Sequence, residues 1–234
     1  MIRFFSLFFV AAMAVLADTP AADKVPQVGQ QVLARYYAAV THQAPKTKGI
    51  EMDMDFSARL PKLKKEGALL GRRIVSSLGK ISFVIKSITG DSTVKQYVIA
   101  KYLAGESEMS EKANDAAITP KNYKFKYKRS ESFNGRPIHI YELNPRKKQI
   151  GLFKGELWID EETALPVRES GIFVKNPSVF LKKVNFTRTY AMYDGAALPA
   201  RVESHVETRI AGAADLDIRY TNFAPESPAT AQAQ

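Results

Sequence analysis

The sequence predicts a mainly β (α+β) fold, built as a strongly curved antiparallel sheet or incomplete barrel of about eleven strands. An N-terminal amphipathic helix and a short helical insert are expected to cover the concave face of this sheet. The prediction rests on the spacing of apolar residues, which is about four near the N-terminus and two in most later segments. A β-sandwich of two packed sheets is the main competing architecture.

The first predicted element is a helix from Val25 to Gln43. Its apolar side chains recur at every fourth position, which is typical of an amphipathic helix packed on an apolar surface. These positions are Val28, Val32, Tyr36 and Val40, and the stripe is widened by Leu33 and Tyr37. A proline in the first turn is tolerated at Pro26, and the Ala44-Pro45 pair ends the helix.

The strands begin at Ile50. From Ile50 to Ala58 the even positions are apolar and the odd positions polar, as in a strand with one face on the core and one in water. Later segments of this kind are separated by turn-forming pairs such as Asn134-Gly135 and Asp194-Gly195. They span residues 69–77, 80–89, 93–102, 121–130, 136–144, 150–160, 165–175, 179–191, 197–210 and 214–223.

One segment interrupts this series of strands. Residues Gly105 to Ala117 (GESEMSEKANDAA) are poor in β-branched side chains and rich in helix formers. We therefore expect a short helix or a mobile loop here, inserted between strands and placed over the sheet like a lid.

The first residues predict export. A short positive start is followed by an apolar run from Phe4 to Leu16 and by small residues up to Ala17. This is the order found in secretory signal peptides, and the run is shorter than the roughly 20 residues that a membrane span needs. We expect a signal peptide at residues 1–17, a single domain at residues 18–224 and a disordered tail at residues 225–234. Such a chain would be a soluble protein of the periplasm.

The composition narrows the classes of partner. The chain has 34 Lys and Arg against 24 Asp and Glu, a formal net charge of +10, and no cysteine. Without cysteine it has neither a disulfide nor the acylated residue of a lipoprotein. In an exported protein the positive charge favours anionic lipid headgroups or lipopolysaccharide phosphates over nucleic acid. A basic surface that only keeps the protein soluble fits the charge equally well.

No constellation of residues predicts catalysis. The three histidines His42, His139 and His205 are not grouped with other ligands at metal-binding spacing, so we expect no metal and no cofactor. Ser77-Leu78-Gly79-Lys80 matches the bare Ser-x-x-Lys pattern of penicillin-recognising enzymes. It falls in a predicted hairpin turn, however, and the companion motifs are missing. We therefore expect a non-enzymatic protein, with an enzyme of unrecognised type as an alternative.

A row of basic residues leaves a second function open. Lys124, Lys126 and Lys128 alternate with aromatic residues along one predicted strand. Alternation places the charges and the rings on opposite faces, unlike a site for single-stranded nucleic acid, where both face the ligand. The alternative function is therefore a basic envelope module that binds lipopolysaccharide or a protein partner through its lysine rows.

The apolar faces are the main candidate for a binding site. A large curved sheet that two helices cover incompletely leaves an apolar cavity, in which methionine suits adaptable surfaces. The predicted lining residues are Met52, Met54, Phe56, Phe83, Val98, Phe125, Ile140, Trp158, Val202 and Ile218. The predicted lid residues are Val32, Tyr36 and Met109.

The stretch from Tyr141 to Phe173 carries a more specific pattern. A Tyr-x-Leu-x-Pro strand end is followed by the turn Trp158-Ile159-Asp160 and by a Leu-Pro-x-Arg return strand at Leu165 to Arg168. In these motifs, and in the order of an exported helix before a strand meander, the chain resembles the bacterial outer-membrane lipoprotein-sorting carriers of the LolA-like superfamily.

The resemblance implies a half-barrel that shelters lipid, with this hairpin as one wall. It implies a periplasmic carrier in outer-membrane biogenesis that binds acyl chains of lipoproteins or other envelope lipids. Transfer partners at the inner or outer membrane and peripheral membrane contact are compatible with that role. The family's gating arginine is not assigned by these motifs, because Arg59, Arg72, Arg73 and Arg168 are all available.

Overall fold

The computed structural model describes residues 24–110, 113–176, 181–209 and 212–227. The predicted signal peptide and the predicted tail from residue 228 onwards lie outside these ranges. Within them, no helix combines the length and the apolar character that crossing a membrane would require.

The chain begins with helix α1 (Lys24–Gln43), which confirms the predicted amphipathic helix. Short 3-10 turns at Ala44–Thr47 and Pro61–Leu63 precede and follow the first strand. The strands are β1 (Ile50–Leu60), β2 (Lys65–Val75), β3 (Ile81–Gly90), β4 (Tyr123–Phe133), β5 (Arg136–Pro145), β6 (Phe153–Asp160), β7 (Pro166–Phe173), β8 (Leu181–Tyr193), β9 (Ala196–Thr208) and β10 (Ala213–Pro225).

All ten strands belong to one antiparallel sheet, in the order β3-β2-β1-β10-β9-β8-β7-β6-β5-β4. The first strand pairs with the last, so that Ile50 lies opposite Pro225 and Arg59 opposite Asp215. Strands β3 and β4 form the two edges, and the sheet is therefore open rather than closed into a barrel. This confirms the mainly β, half-barrel fold predicted from the sequence, with ten strands instead of eleven.

The predicted strand at residues 93–102 is wrong. The chain between β3 and β4 is helical there, running through α2 (Ser92–Val94), a π-helical turn (Lys95–Ile99) and α3 (Ala100–Ser110). Asp91 starts this segment, because its carboxylate accepts a hydrogen bond of 2.7 Å from the backbone N–H of Thr93.

The same segment explains where the short helical insert lies. The insert predicted from Gly105 is the second half of α3, and a further turn, α4 (Ala113–Ala116), follows it. Val94, Ile99 and Leu103 are buried at helical spacing, because one side of the segment packs against the sheet. Tertiary packing thus overrides the β-branched composition that favoured a strand.

Two apolar clusters cover one face of the sheet, and each lies under one helix. The α3 cluster contains inward residues of β1, β2, β9 and β10, with the ring of Phe56 meeting Tyr102 of α3 edge to face at 5.1 Å. The α1 cluster contains inward residues of β4 to β8 together with Val32 and Tyr36 of α1. The Tyr141 hydroxyl donates a hydrogen bond of 2.6 Å to the carbonyl of Gly29, which fixes the start of α1 to the sheet.

Strand β10 is longer than the sequence suggested. It continues to Pro225, and the N–H of Glu226 donates a hydrogen bond of 2.8 Å to the carbonyl of Gly49. Residues 225–227 therefore belong to the folded domain and not to a disordered tail.

Strands β6 and β7 approach each other closely at a pair of glycines. Gly155 lies directly opposite Gly171. A Cβ atom added to Gly155 would lie 1.9 Å from the carbonyl oxygen of Ser170 and 2.6 Å from Cα of Gly171. Since both neighbours are backbone atoms, the strands would have to separate to admit a side chain.

We expect Gly155→Ala to lower the free energy of unfolding by about 2 kcal/mol, because the added methyl group forces backbone displacement. Urea denaturation of the purified protein measures this change. Gly105→Ala is the matched control: no atom lies within 4 Å of its added Cβ, and replacing a helical glycine should stabilise by up to about 1 kcal/mol. Equal effects of the two substitutions would contradict the close approach of β6 and β7.

Candidate functional site

A row of directly opposite residues crosses all ten strands on the face that the helices cover. Cross-strand neighbours share a face of the sheet, so the members of the row point to the same side. In order from β4 to β3 they are Tyr127, Tyr141, Leu157, Glu169, Arg188, Val202, Ile218, Phe56, Leu69 and Ile88. The two charged residues of this row are neighbours at its centre, between the two apolar clusters.

The carboxylate of Glu169 is the shared hydrogen-bond acceptor at the centre of this row. Glu169 is only 2% exposed, and it accepts hydrogen bonds from Nη1 of Arg188 and from the hydroxyl of Tyr190 at 2.8 Å. Burial alone would lower the pKa of Arg188, but attraction to Glu169 outweighs it and the pKa lies well above its usual value. Arg188 therefore stays protonated in spite of its burial.

A cavity of roughly 330 Å³ lies beside this ion pair, between α1 and the end of the α3–α4 segment. Its wall is mostly apolar and aromatic, and Glu169, Arg188 and Tyr190 supply polar groups. The apolar contributors are Val40, Met109, Ala116, Ala117, Ile118, Phe153, Pro166, Phe173, Phe186 and Ala197.

Three phenylalanines form an aromatic wall of the cavity. The ring of Phe186 stacks on Phe173 and meets Phe153 edge to face, with centroids 4.9 Å apart in both contacts. Gly171 lies directly opposite Phe186, and a Cβ there would come within 2.7 Å of the ring of Phe153. The glycine thus leaves the space that the ring of Phe153 occupies.

A second buried ion pair attaches α3 to the sheet. Nε and Nη2 of Arg73 on β2 both donate to Oε1 of Glu106 on α3, at 3.0 and 2.8 Å. The guanidinium also lies over the ring of Tyr220, 5.6 Å from its centroid. Burial would lower the pKa of Arg73, but Glu106 raises it above its usual value, so Arg73 also stays protonated.

The charges of this interior balance one another. Arg73 and Arg188 supply two positive charges, and Glu106 and Glu169 supply two negative charges. Burial raises the pKa of the nearby Tyr36, Tyr102 and Tyr220, so these hydroxyls stay protonated and neutral. The charges of both ion pairs act on Tyr102 of α3, where Glu106 raises the pKa of the hydroxyl and Arg188 and Arg73 lower it.

The predicted cavity residues fall mostly into the packed core. Seven belong to the α3 cluster, either as buried members or as half-buried side chains beside it: Met52, Met54, Phe56, Val202, Ile218, Phe83 and Val98. Val98 lies on the π-helical turn rather than on a strand, and Phe125 packs beside the α1 cluster. None of these residues lines the 330 Å³ cavity.

Ile140 and Trp158 were placed on the wrong face. They pack with Ile138 on the side of the sheet opposite Tyr141 and Leu157, in a third cluster. The guanidinium of Arg168 lies 4.5 Å from the Trp158 ring and covers it from outside. These residues stabilise the outer surface of the hairpin and are not part of the cavity.

The predicted lid residues lie nearer the cavity. Tyr36 of α1 and Met109 of α3 both contribute to its wall, while Val32 is buried in the α1 cluster. The predicted lid elements and the cavity therefore meet, although the strand residues that complete the wall differ from those predicted.

The sequence does carry a signal for Arg188, which the prediction missed. Val184, Phe186 and Tyr190 occupy alternate positions of β8 and point inwards, and Arg188 stands in the same series. A charged residue at an inward position of a strand needs a buried partner. Glu169 takes the equivalent place on β7, opposite Arg188.

The other candidate features lie on the surface. Lys124, Lys126 and Lys128 are exposed along edge strand β4, and Ser77 and Lys80 are exposed in the turn between β2 and β3. Among the described residues, no three His, Asp or Glu side chains are grouped so as to hold a metal ion.

The chain has similarity to solved structures at low sequence identity, whereas no protein-family model and no curated protein matches it. An outer membrane lipoprotein-sorting protein domain from Vibrio parahaemolyticus matches with 13% identity and a TM-score of 0.41, over 89% of this chain and 94% of that one. A LolA superfamily protein from Nitrosomonas europaea matches with 13% identity and a TM-score of 0.40, over 85% and 93% of the two chains.

A DUF1329 family protein from Desulfovibrio piger gives similar values, with 13% identity, a TM-score of 0.40 and coverage of 84% and 94%.

We expect Glu106→Ala to lower the free energy of unfolding by about 3–5 kcal/mol, because it leaves the buried charge of Arg73 without a partner. Urea denaturation measures the loss, and hydrogen exchange should locate the added opening in α3. The double variant Arg73→Met/Glu106→Leu should recover most of the stability, since it removes both charges and fills the space. A single variant as stable as the parent would show that α3 is not held by this pair.

Proposed function

We propose that the protein is a non-enzymatic periplasmic carrier that binds an acyl chain in the cavity between α1 and the α3–α4 segment. The observation that carries this proposal is the aromatic and aliphatic wall built by Phe153, Phe173 and Phe186 with residues of both helical covers. A wall of this kind stabilises an apolar ligand by removing its surface from water, at about 25 cal/mol per Å².

The size of the cavity suits part of a lipid. Its 330 Å³ lies near the lower end of the range of about 300–1,000 Å³ found for small-molecule sites. A complete acyl chain would need further space, which a shift of α1 or α3 over the sheet supplies. Helix α1 packs on the α1 cluster and α3 on the α3 cluster, while Ala116 of α4 lies beside the α1 cluster.

We expect protein purified from its native compartment to carry a lipid at close to one per chain. Extraction with organic solvent followed by mass spectrometry measures the ratio and identifies the acyl groups. The lipid should stay bound in high salt, because burial of apolar surface is little affected by ionic screening. An empty extract, with binding only to lipopolysaccharide and only at low salt, would instead support a basic envelope module that acts through its lysine rows.

We expect Val40→Trp to weaken binding of a monoacylglycerol by at least about tenfold, because the indole occupies the cavity that the acyl chain needs. Isothermal titration calorimetry measures the affinity, and thermal unfolding confirms that the variant is folded. Val28→Trp is the matched control, since Val28 is exposed on the same helix and does not line the cavity. Undiminished affinity in Val40→Trp would place the ligand elsewhere.

A further inference from the structure

The cavity wall contains an ion pair that an acyl chain alone does not need. Glu169 is almost fully enclosed, whereas 35% of the Arg188 side chain is accessible from the cavity. Nη1 of Arg188 donates a hydrogen bond to Glu169, and the guanidinium also has a hydrogen-bond interaction with the hydroxyl of Tyr190. Because guanidinium carries five donors, Arg188 can bind a ligand without releasing Glu169.

A purely hydrocarbon ligand would be a poor partner for this wall. It would displace water from the accessible N–H groups of Arg188 and offer no acceptor in return, and unpaired donors in an apolar site are costly. The part of the ligand that reaches Arg188 should therefore accept hydrogen bonds.

An anionic ligand would be a poor partner for a different reason. The interior charges already cancel, with Arg73 and Arg188 balanced by Glu106 and Glu169. A carboxylate or phosphate beside Arg188 would add an unbalanced negative charge close to Glu169 and would lose its own hydration. The arrangement opposes free fatty-acid anions even though an arginine faces the cavity.

From these two requirements we infer that the cavity selects acyl chains ending in an uncharged acceptor, an ester or amide carbonyl bound by Arg188, and that Glu169 excludes free fatty acids. This inference rests on the proposed carrier function and defines its class of ligand. Glu169 is a specificity residue in this scheme: it keeps Arg188 ionised and in place, and it cancels the charge that would otherwise attract carboxylates.

The test compares three ligands with the same palmitoyl chain on delipidated full-length mature protein at pH 8. They are 1-monopalmitoylglycerol with an ester, N-palmitoylethanolamine with an amide, and palmitate with an ionised carboxylate. We expect the ester and the amide to bind at least about tenfold more tightly than palmitate. A tenfold ratio of affinities corresponds to the free energy that one hydrogen bond to a charged group typically contributes.

The variant Glu169→Gln should reverse the preference. Glutamine keeps an acceptor for Arg188 and Tyr190 but removes the negative charge, so palmitate affinity should rise by about tenfold while ester affinity changes little. The matched control Glu203→Gln removes a negative charge on the opposite face, where Glu203 pairs with Arg201 at 2.9 Å, and should leave all affinities unchanged. Thermal unfolding confirms that both variants are folded.

Each outcome separates this inference from the function on which it rests. Tight binding of all three ligands by the parent protein, or of palmitate above the others, would refute the selection while leaving the carrier function intact. An unchanged ester-to-palmitate ratio in folded Glu169→Gln would also refute it. Failure of the parent to bind any of the three would refute the carrier function and the inference together. Should the variant not fold, the ratio measured on the parent still decides.

Discussion

The ion pair of Glu169 and Arg188 is the constraint on which the interior depends. It occupies the centre of a row that crosses all ten strands, between the apolar clusters under α1 and α3. Because side chains alternate along a strand, a slip of one residue between β7 and β8 would turn one of the two partners outwards and leave the other buried alone. A row of apolar residues would tolerate such a slip far better. The ion pair therefore specifies the register of β7 and β8 at the place that neither helix covers completely.

The two helical covers follow from the order of the strands. Strands β3 and β4 are adjacent in the chain but lie at opposite edges of the sheet, and the segment between them packs on the inner face. This is the α2–α3 segment, tied to β2 by Arg73 and Glu106. Helix α1 covers the other half, and the cavity lies where the two covers meet. The cavity is therefore a consequence of the topology, and its polar wall is the part of the central row that remains uncovered.

The sequence predicts the strands well and the site poorly, for a physical reason. Alternation of apolar and polar residues identifies a strand when one of its faces is exposed to solvent, as in Ile50 to Ala58. When both faces are buried, the sequence does not indicate which residues point towards the inner face. Ile138 to Tyr141 and Leu157 to Asp160 are all buried, since Phe133 and Arg168 cover the outer side; Ile140 and Trp158 were misplaced for that reason. The strand predicted at residues 93–102 was wrong for a different reason. Packing against the sheet stabilises a helix there, although the sequence is rich in β-branched residues. The tertiary contacts that decide such cases are not local.

In the proposed carrier, electrostatic balance links the stability of the fold to the kind of ligand. A single buried arginine would attract carboxylates and would also destabilise the apo protein, because its charge would lie uncompensated in an apolar interior. Pairing Arg188 with Glu169 removes both effects, because the two charges cancel. The remaining N–H groups of Arg188 can still donate hydrogen bonds. The same pairing that stabilises this interior therefore favours a neutral polar group at the cavity wall. Selectivity against anions then needs no steric barrier, since it follows from the charge that folding already requires.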